Sequence, residues 1–220
     1  NADIHSRAAT QILVLQQYDR GALARASCAA DRSVREGLAI GYTKKATIVS
    51  IGGINMALIG VAERLPLPGE TLRGERFYTA SGGKGATQAV AAARLGADVR
   101  MVGRVGNDLF GPRLLDSLRG EGIDVSGVAV DPDHASGVGM ILLDKHRQNH
   151  VTAIYGANLL CDDDQVRAVE SALQGADALL LQMEVPFDVS LAAARAARER
   201  GVRVILDPAP AAEIPMSAYA

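Results

Sequence analysis

The stretch SGGKGATQAV (residues 81–90) sets three glycines and a lysine at the head of an alanine-rich run. Backbone amides freed in a glycine-rich turn at a helix start bind anions or electron-rich oxygens. A phosphate-binding P-loop needs Gly-Lys followed by Ser or Thr, and here Gly85 follows Lys84. The GxGxxG dinucleotide pattern is absent as well. What remains is a tight turn and a lysine opposing the helix's own positive end, unfavourable by ~0.3–1 kcal/mol unless something negative or polar sits nearby. A lysine pointing into water explains the motif equally well, and spacing alone does not decide.

Other residues with chemistry to offer are scattered. His146 and His150 have the HxxxH spacing that binds metal on a helix, but they fall in a hairpin tip with no third ligand, so no metal site is expected. Asp162, Asp163 and Asp164 precede a helix and complement its dipole. Glu184, just before Pro186, stands at the end of an apolar strand, as does Asp207 in LDPAP. Strand ends are where a parallel α/β sheet places its ligand. No Ser-His-Asp or paired-carboxylate arrangement follows from spacing.

The elements that must position these residues alternate. ATIVSIGG reads as a buried strand and turn, and GKGATQAVAAARLGA as a helix whose small face is Ala86, Ala89, Val90, Ala93 and Ala97. DVRMVGRVG is a strand and DLFGPRLLDSLRGEG a helix ended by glycine. CDDDQVRAVESALQGA and FDVSLAAARAARERG are helices, each followed or preceded by apolar strands (DALLLQMEVP, VRVILDPAP). Near-continuous apolar strands alternating with helices predict an α/β fold: a doubly wound, mainly parallel sheet covered on both faces. Two hairpin-like interruptions, residues 57–80 and 137–155, break the alternation and predict a small separate β layer. Residues 1–45 differ in composition, with helices expected over about 6–18 and 22–39. Arg25, Arg32 and Arg35 there could face phosphate in a helix-turn-helix, or the segment is an ill-packed extension.

Bulk composition excludes little else. The chain has 220 residues, a formal net charge of −2 and two cysteines, Cys28 and Cys161, outside any CxxC pair. Neither a polyanion partner nor a disulfide framework is indicated, which points to a reducing, cytoplasmic setting. No apolar run reaches the ~20 residues that span a bilayer, so no membrane partner is expected.

The blocks GGINMALIGVAERLPLPGETLRG, SGGKGATQAVAAARLGADVRMVGRVGNDLFG, LLDSLRGEGIDVSGV, SGVGMILLD, YGAN, LLLQMEVP and VILDPAPA follow one another from about Ala46 to Ala220. In that order they resemble the ribokinase family of carbohydrate kinases. The resemblance implies a ribokinase-like α/β domain over residues 46–220 with a β-sheet lid that doubles as a homodimer surface. It implies transfer of the γ-phosphoryl group of ATP to a hydroxyl of ribose or a related polyol, with Mg2+ and often a monovalent cation such as K+. Carried over by position, Asn55, Gly82, Gly83, Lys84, Thr87 and Glu184 would bind the sugar, with Asp207 on the phosphate side.

Departures from the family bear on that reading. Ala57 stands where an Asp usually contacts sugar hydroxyls, and Thr87 where an Asn is usual. Each lost contact is worth ~1–3 kcal/mol, roughly 5- to 150-fold in affinity. The family's GAGD-type helix start is absent from the sequence as it stands. The catalytic base is therefore expected beyond Ala220, and the chain by itself is expected to be inactive. Two further readings stay open: a non-catalytic sugar-sensing module, its N-terminal arm binding DNA, and a degenerate pseudo-kinase.

Overall fold

The computed structural model describes residues 45–214. In chain order the strands and helices are β1 (Thr47–Ile51), β2 (Asn55–Val61), β3 (Arg76–Gly82), α1 (Lys84–Arg94), β4 (Asp98–Gly106), α2 (Gly111–Gly120), β5 (Asp124–Asp131), β6 (Gly137–Leu143), β7 (Asn149–Ile154), a 3-10 turn (Gly156–Leu160), α3 (Asp163–Ala172), β8 (Ala178–Leu181), α4 (Phe187–Glu199) and β9 (Arg203–Leu206). The expectations for residues 1–44, including both helices and the arginines of the imagined helix-turn-helix, lie outside the described residues.

β1 explains the layering. Its Val49 and Ile51 side chains enter one apolar cluster and Ile48 packs against the other, so both faces of the strand are covered. It sits at the centre of a five-stranded sheet in the order β5-β4-β1-β8-β9, and every pair in it is parallel. α3 and α4 close one face through Val169, Leu173, Val189, Ala193 and Ala197. α1 and α2 close the other through Ala86, Ala89, Leu114 and Leu118. The alanines of α1 do what their size permits, bringing the helix close to the strands. The predicted doubly wound fold is the one observed.

Both interruptions join one second sheet, in the order β3-β2-β6-β7. β2 pairs antiparallel with β3 and β6 with β7, while β2 and β6 run parallel. Asp108 ties this lid to the main layer. Its carboxylate accepts the N–H groups of Phe110 and Gly111 at the head of α2, and the N–H and hydroxyl of Ser136 at the foot of β6. Burial pushes the Asp108 carboxyl up, but the N–H groups of Gly111 and Ser136 outweigh it and hold it below the ordinary range.

The chain runs outward from β1 to β4 and β5, then returns to lay β8 and β9 on the other side of β1. The reversal lies between β1 and β8, where Ile51 pairs with Leu181. In an open α/β sheet the crevice at the strand ends beside such a reversal is the favoured ligand position. Gly52–Asn55 leave β1 there, and Gln182–Glu184 leave β8.

Candidate functional site

Three backbone segments meet at that reversal, and their glycines record how closely. Gly83 precedes α1 with φ 93°, a left-handed conformation that favours glycine. A Cβ on Gly83 would stand 2.3 Å from the Gly53 carbonyl oxygen and 2.8 Å from the Asn55 nitrogen. A Cβ on Gly53 would stand 2.2 Å from Glu184 Oε2. The turn after β1 and the head of α1 thus meet backbone to backbone, and the loop after β8 reaches them through the Glu184 side chain.

Glu184 occupies the centre of this junction and is only 6% exposed. Its Oε2 accepts the Lys84 backbone N–H at 2.6 Å and the Asn55 side-chain amide at 3.3 Å. Burial pushes the Glu184 carboxyl above the ordinary range; the Lys84 N–H and the lysine's charge pull it down, and Asp207 pushes it up again, leaving it raised. The negative group that the helix start needs is therefore supplied from a segment far along the chain. With a carboxylate already at the head of α1, a phosphate there would meet like charge.

Asn55 is buried on β2 with its amide held from both sides. Nδ2 faces Glu184, and Oδ1 accepts from Asn158 Nδ2 at 2.8 Å. Gly82 closes β3 opposite Asn55 in the lid register. Thr87 lies in the first turn of α1 and donates its backbone N–H to the Gly83 carbonyl. Among the described residues no side-chain hydrogen bond joins it to the Asn55–Glu184 pair. Ala57, two residues on from Asn55, is flanked in register by Ala80 and Gly139, so no polar side chain stands in that row of β2, β3 and β6.

Asp207 enters through a relay. Gln182, fully buried after β8, donates Nε2 to Gln88 Oε1 at 2.5 Å, and Gln88 Nε2 donates to Asp207 Oδ2 at 3.1 Å. Gln182 Oε1 is buried and has no hydrogen-bond partner among the described residues. Sequence reasoning gave no site role to Gln88, Gln182 or Asn158, the last residue of the YGAN block. The one usable signal was position: Gln88 lies four residues after Lys84, on the same side of α1, and Gln182 interrupts an apolar strand end.

The groups gathered here, one buried carboxylate that accepts and amides that donate and accept, are those that pair with hydroxyls. Among the described residues no group of three or more His, Cys, Asp or Glu side chains is placed to hold a metal ion. One buried carboxylate amid amides does not make a magnesium seat, and the head of α1 is unsuited to a nucleotide phosphate. His146 and His150 are both exposed, His146 in the turn between β6 and β7 and His150 on β7. No helix of the described residues is long and apolar enough to cross a membrane.

Comparison with known proteins agrees with the geometry. The family pattern described as pfkB family carbohydrate kinase matches residues 45–219. A ribokinase of Schizosaccharomyces pombe is 39% identical over 176 residues, covering 77% of this chain and 55% of that protein. A mouse ribokinase is 36% identical over 166 residues, covering 76% of this chain and 51% of that protein. Among solved structures, a ribokinase from Arabidopsis thaliana complexed with ribose and ATP superposes with a TM-score of 0.65 at 31% identity, covering 76% of this chain and 54% of that one. One from Giardia lamblia gives 0.70 at 27% identity, covering 77% and 52%. The chain spans about half the length of these relatives. Its two-sheet architecture, its junction at the β1–β8 reversal and the match over residues 45–219 converge: the chain belongs to the pfkB family of carbohydrate kinases.

Proposed function

We propose that the junction of Asn55, Lys84 and Glu184, where the lid meets the ends of β1 and β8, binds ribose or a related polyol, as the sugar-binding part of an ATP-dependent kinase. The observation that carries this is the Asn55–Glu184–Lys84 junction, a buried carboxylate and an oriented amide under a separate β layer. Glu184 accepts hydrogen bonds from hydroxyls, Asn55 donates to a sugar oxygen, Gly82 and Gly83 let the backbone approach, and the Lys84 N–H and charge favour the ionised carboxylate against its burial. ATP would supply the phosphoryl group. The part of the residues at this junction is to bind, orient and shield the acceptor.

Self-association through the lid belongs to the same reading. Phe77 is 70% exposed, Met140 53% and Leu142 42%. With Leu58 and His150 they line a groove of about 470 Å3 on one face of the lid. Exposed apolar surface of this kind marks an interface. A second reading, a polyol-binding module without catalysis, draws its support from Ala57, where no carboxylate reaches the sugar.

Calorimetric titration of the full chain with D-ribose, 2-deoxyribose, fructose and adenosine tests the proposal. Saturable heat from ribose or another polyol is expected, and its loss in Glu184→Gln assigns it to this junction. Absence of heat with every ligand overturns the sugar-binding reading, and phosphoryl transfer from ATP to a bound polyol would remove the module reading.

A further inference from the structure

A substrate-binding asparagine is only as selective as its amide orientation. The two ends of an Asn side chain have nearly the same shape and opposite hydrogen-bonding character. Left alone, Asn55 could turn either end toward Glu184. Oδ1 facing that carboxylate would set acceptor against acceptor and leave the donor for the wrong side.

One residue outside the expected site removes the choice. Asn158 sits in the 3-10 turn that follows β7 and is fully buried. Its Oδ1 accepts the Ile54 N–H at 2.9 Å, which fixes its own amide. Its two Nδ2 hydrogens then go to Tyr155 O at 2.7 Å and Asn55 Oδ1 at 2.8 Å, with Ile54 O a longer shared contact at 3.3 Å. All four partners match the donor and acceptor ends as placed. Room for the pair comes from Gly137 at the foot of β6, where a Cβ would stand 2.0 Å from Asn55 Oδ1 and 2.3 Å from Asn158 Nδ2.

We infer that Asn158 is the positioning residue of the polyol site: it holds Asn55 with the amide donor turned toward Glu184, and itself touches no ligand. This rests on the polyol-binding reading above. Because Asn158 also grips the backbone where β2 begins and where β7 ends, it sets the donor's direction and the lid's foot together.

The test uses the full chain labelled with 15N and probed with D-ribose. In the wild type, ribose is expected to shift the Asn55 side-chain NH2 signals while the Asn158 NH2 signals stay in place and exchange slowly. In Asn158→Ala, or in Asn158→Ser should the alanine variant not fold, the Asn55 NH2 signals are expected to split or broaden. Ribose affinity should fall about tenfold, the worth of one hydrogen bond. In an Asn55→Ala background the same Asn158 change should cost no further affinity, although both changes lower thermal stability. Asn55 signals unaltered by loss of Asn158, or affinity losses that simply add, would overturn the inference. So would ribose-induced shifts larger at Asn158 than at Asn55. No ribose response in the wild type would sink the sugar-binding reading instead, and the orientation of Asn55 would still be decided by whether its NH2 signals split.

Discussion

Glu184 Oε2 stands 2.6 Å from the backbone nitrogen of Lys84, so a carboxylate from the loop after β8 serves as the N-terminal counter-charge of α1. The helix itself has no acidic residue in its first turn and no side-chain cap. The bond joins the two sides of the candidate site, and its two roles can be separated by substitution. Glu184→Gln keeps an oxygen for the Lys84 N–H and removes the charge. Polyol affinity should fall about 10- to 150-fold, the worth of a charge-assisted hydrogen bond. Stability at neutral pH should hold or rise. A variant that binds ribose as the wild type does would remove Glu184 from the site.

The raised Glu184 carboxyl sets a pH dependence with a definite sign. A folded-state value above the unfolded one stabilises the fold below the unfolded value, and that contribution is lost as pH rises through the folded value. Binding runs the other way, because the ionised form is the hydroxyl acceptor. Polyol affinity should therefore weaken on acidification beginning above the ordinary glutamate range of about 4.3. Calorimetry between pH 4.5 and 8 checks it, and the dependence should vanish in Glu184→Gln.

Ala57→Asp should strengthen ribose binding. The new carboxylate would share the Asn55 face of β2, with Ala80 and Gly139 as its cross-strand neighbours. A Cβ on Gly139 would meet nothing within 4 Å, so the row has space. A gain of roughly 10- to 100-fold is expected from one charge-assisted contact, read by titration. An unchanged affinity would mean that this row does not face the ligand.

Gly83→Ala should damage both fold and site. The left-handed backbone and a Cβ 2.3 Å from the Gly53 oxygen cannot both be relieved without moving the head of α1. A loss of roughly 2–4 kcal/mol is expected, seen as a lower midpoint in urea. Gly69 is the control: it also has positive φ, but a Cβ there meets nothing within 4 Å, so its alanine variant should lose less.

Asp108→Asn should lower stability by about 1–2 kcal/mol at neutral pH through loss of charged acceptors for α2 and β6. The Asp108 carboxyl is held below its ordinary value, so its contribution is present above the unfolded value and is lost as pH falls through the folded one. The stability gap between wild type and variant should therefore narrow between pH 5 and pH 2. A constant gap would assign the effect to packing.

Much of this architecture was legible from apolar periodicity, because β1, β4 and β8 are covered on both faces and read as continuous apolar runs. β5 was not read as a strand: DVSGVAVD carries a glycine and alternating polar residues, and its register with β4 shifts between Arg100 and Val102. The two interruptions, expected to form one small β layer, do share a sheet, but the parallel pairing of β2 with β6 inside it leaves no local trace. Asn55, Lys84 and Glu184, named from a resemblance, do meet. Asn158, Gln88 and Gln182 were given no site role because a lone buried amide has no spacing rule; its importance lies in partners that only the fold supplies.

The outer strands of the lid sheet, β3 and β7, are hydrogen-bonded to a neighbour on one side only, whereas β2 and β6 are paired on both sides and β1 lies at the centre of the main sheet. Amide exchange should therefore run fastest through β7 and β3, slower in β2 and slowest in β1, a gradient of local opening that rises from the main sheet to the rim of the lid.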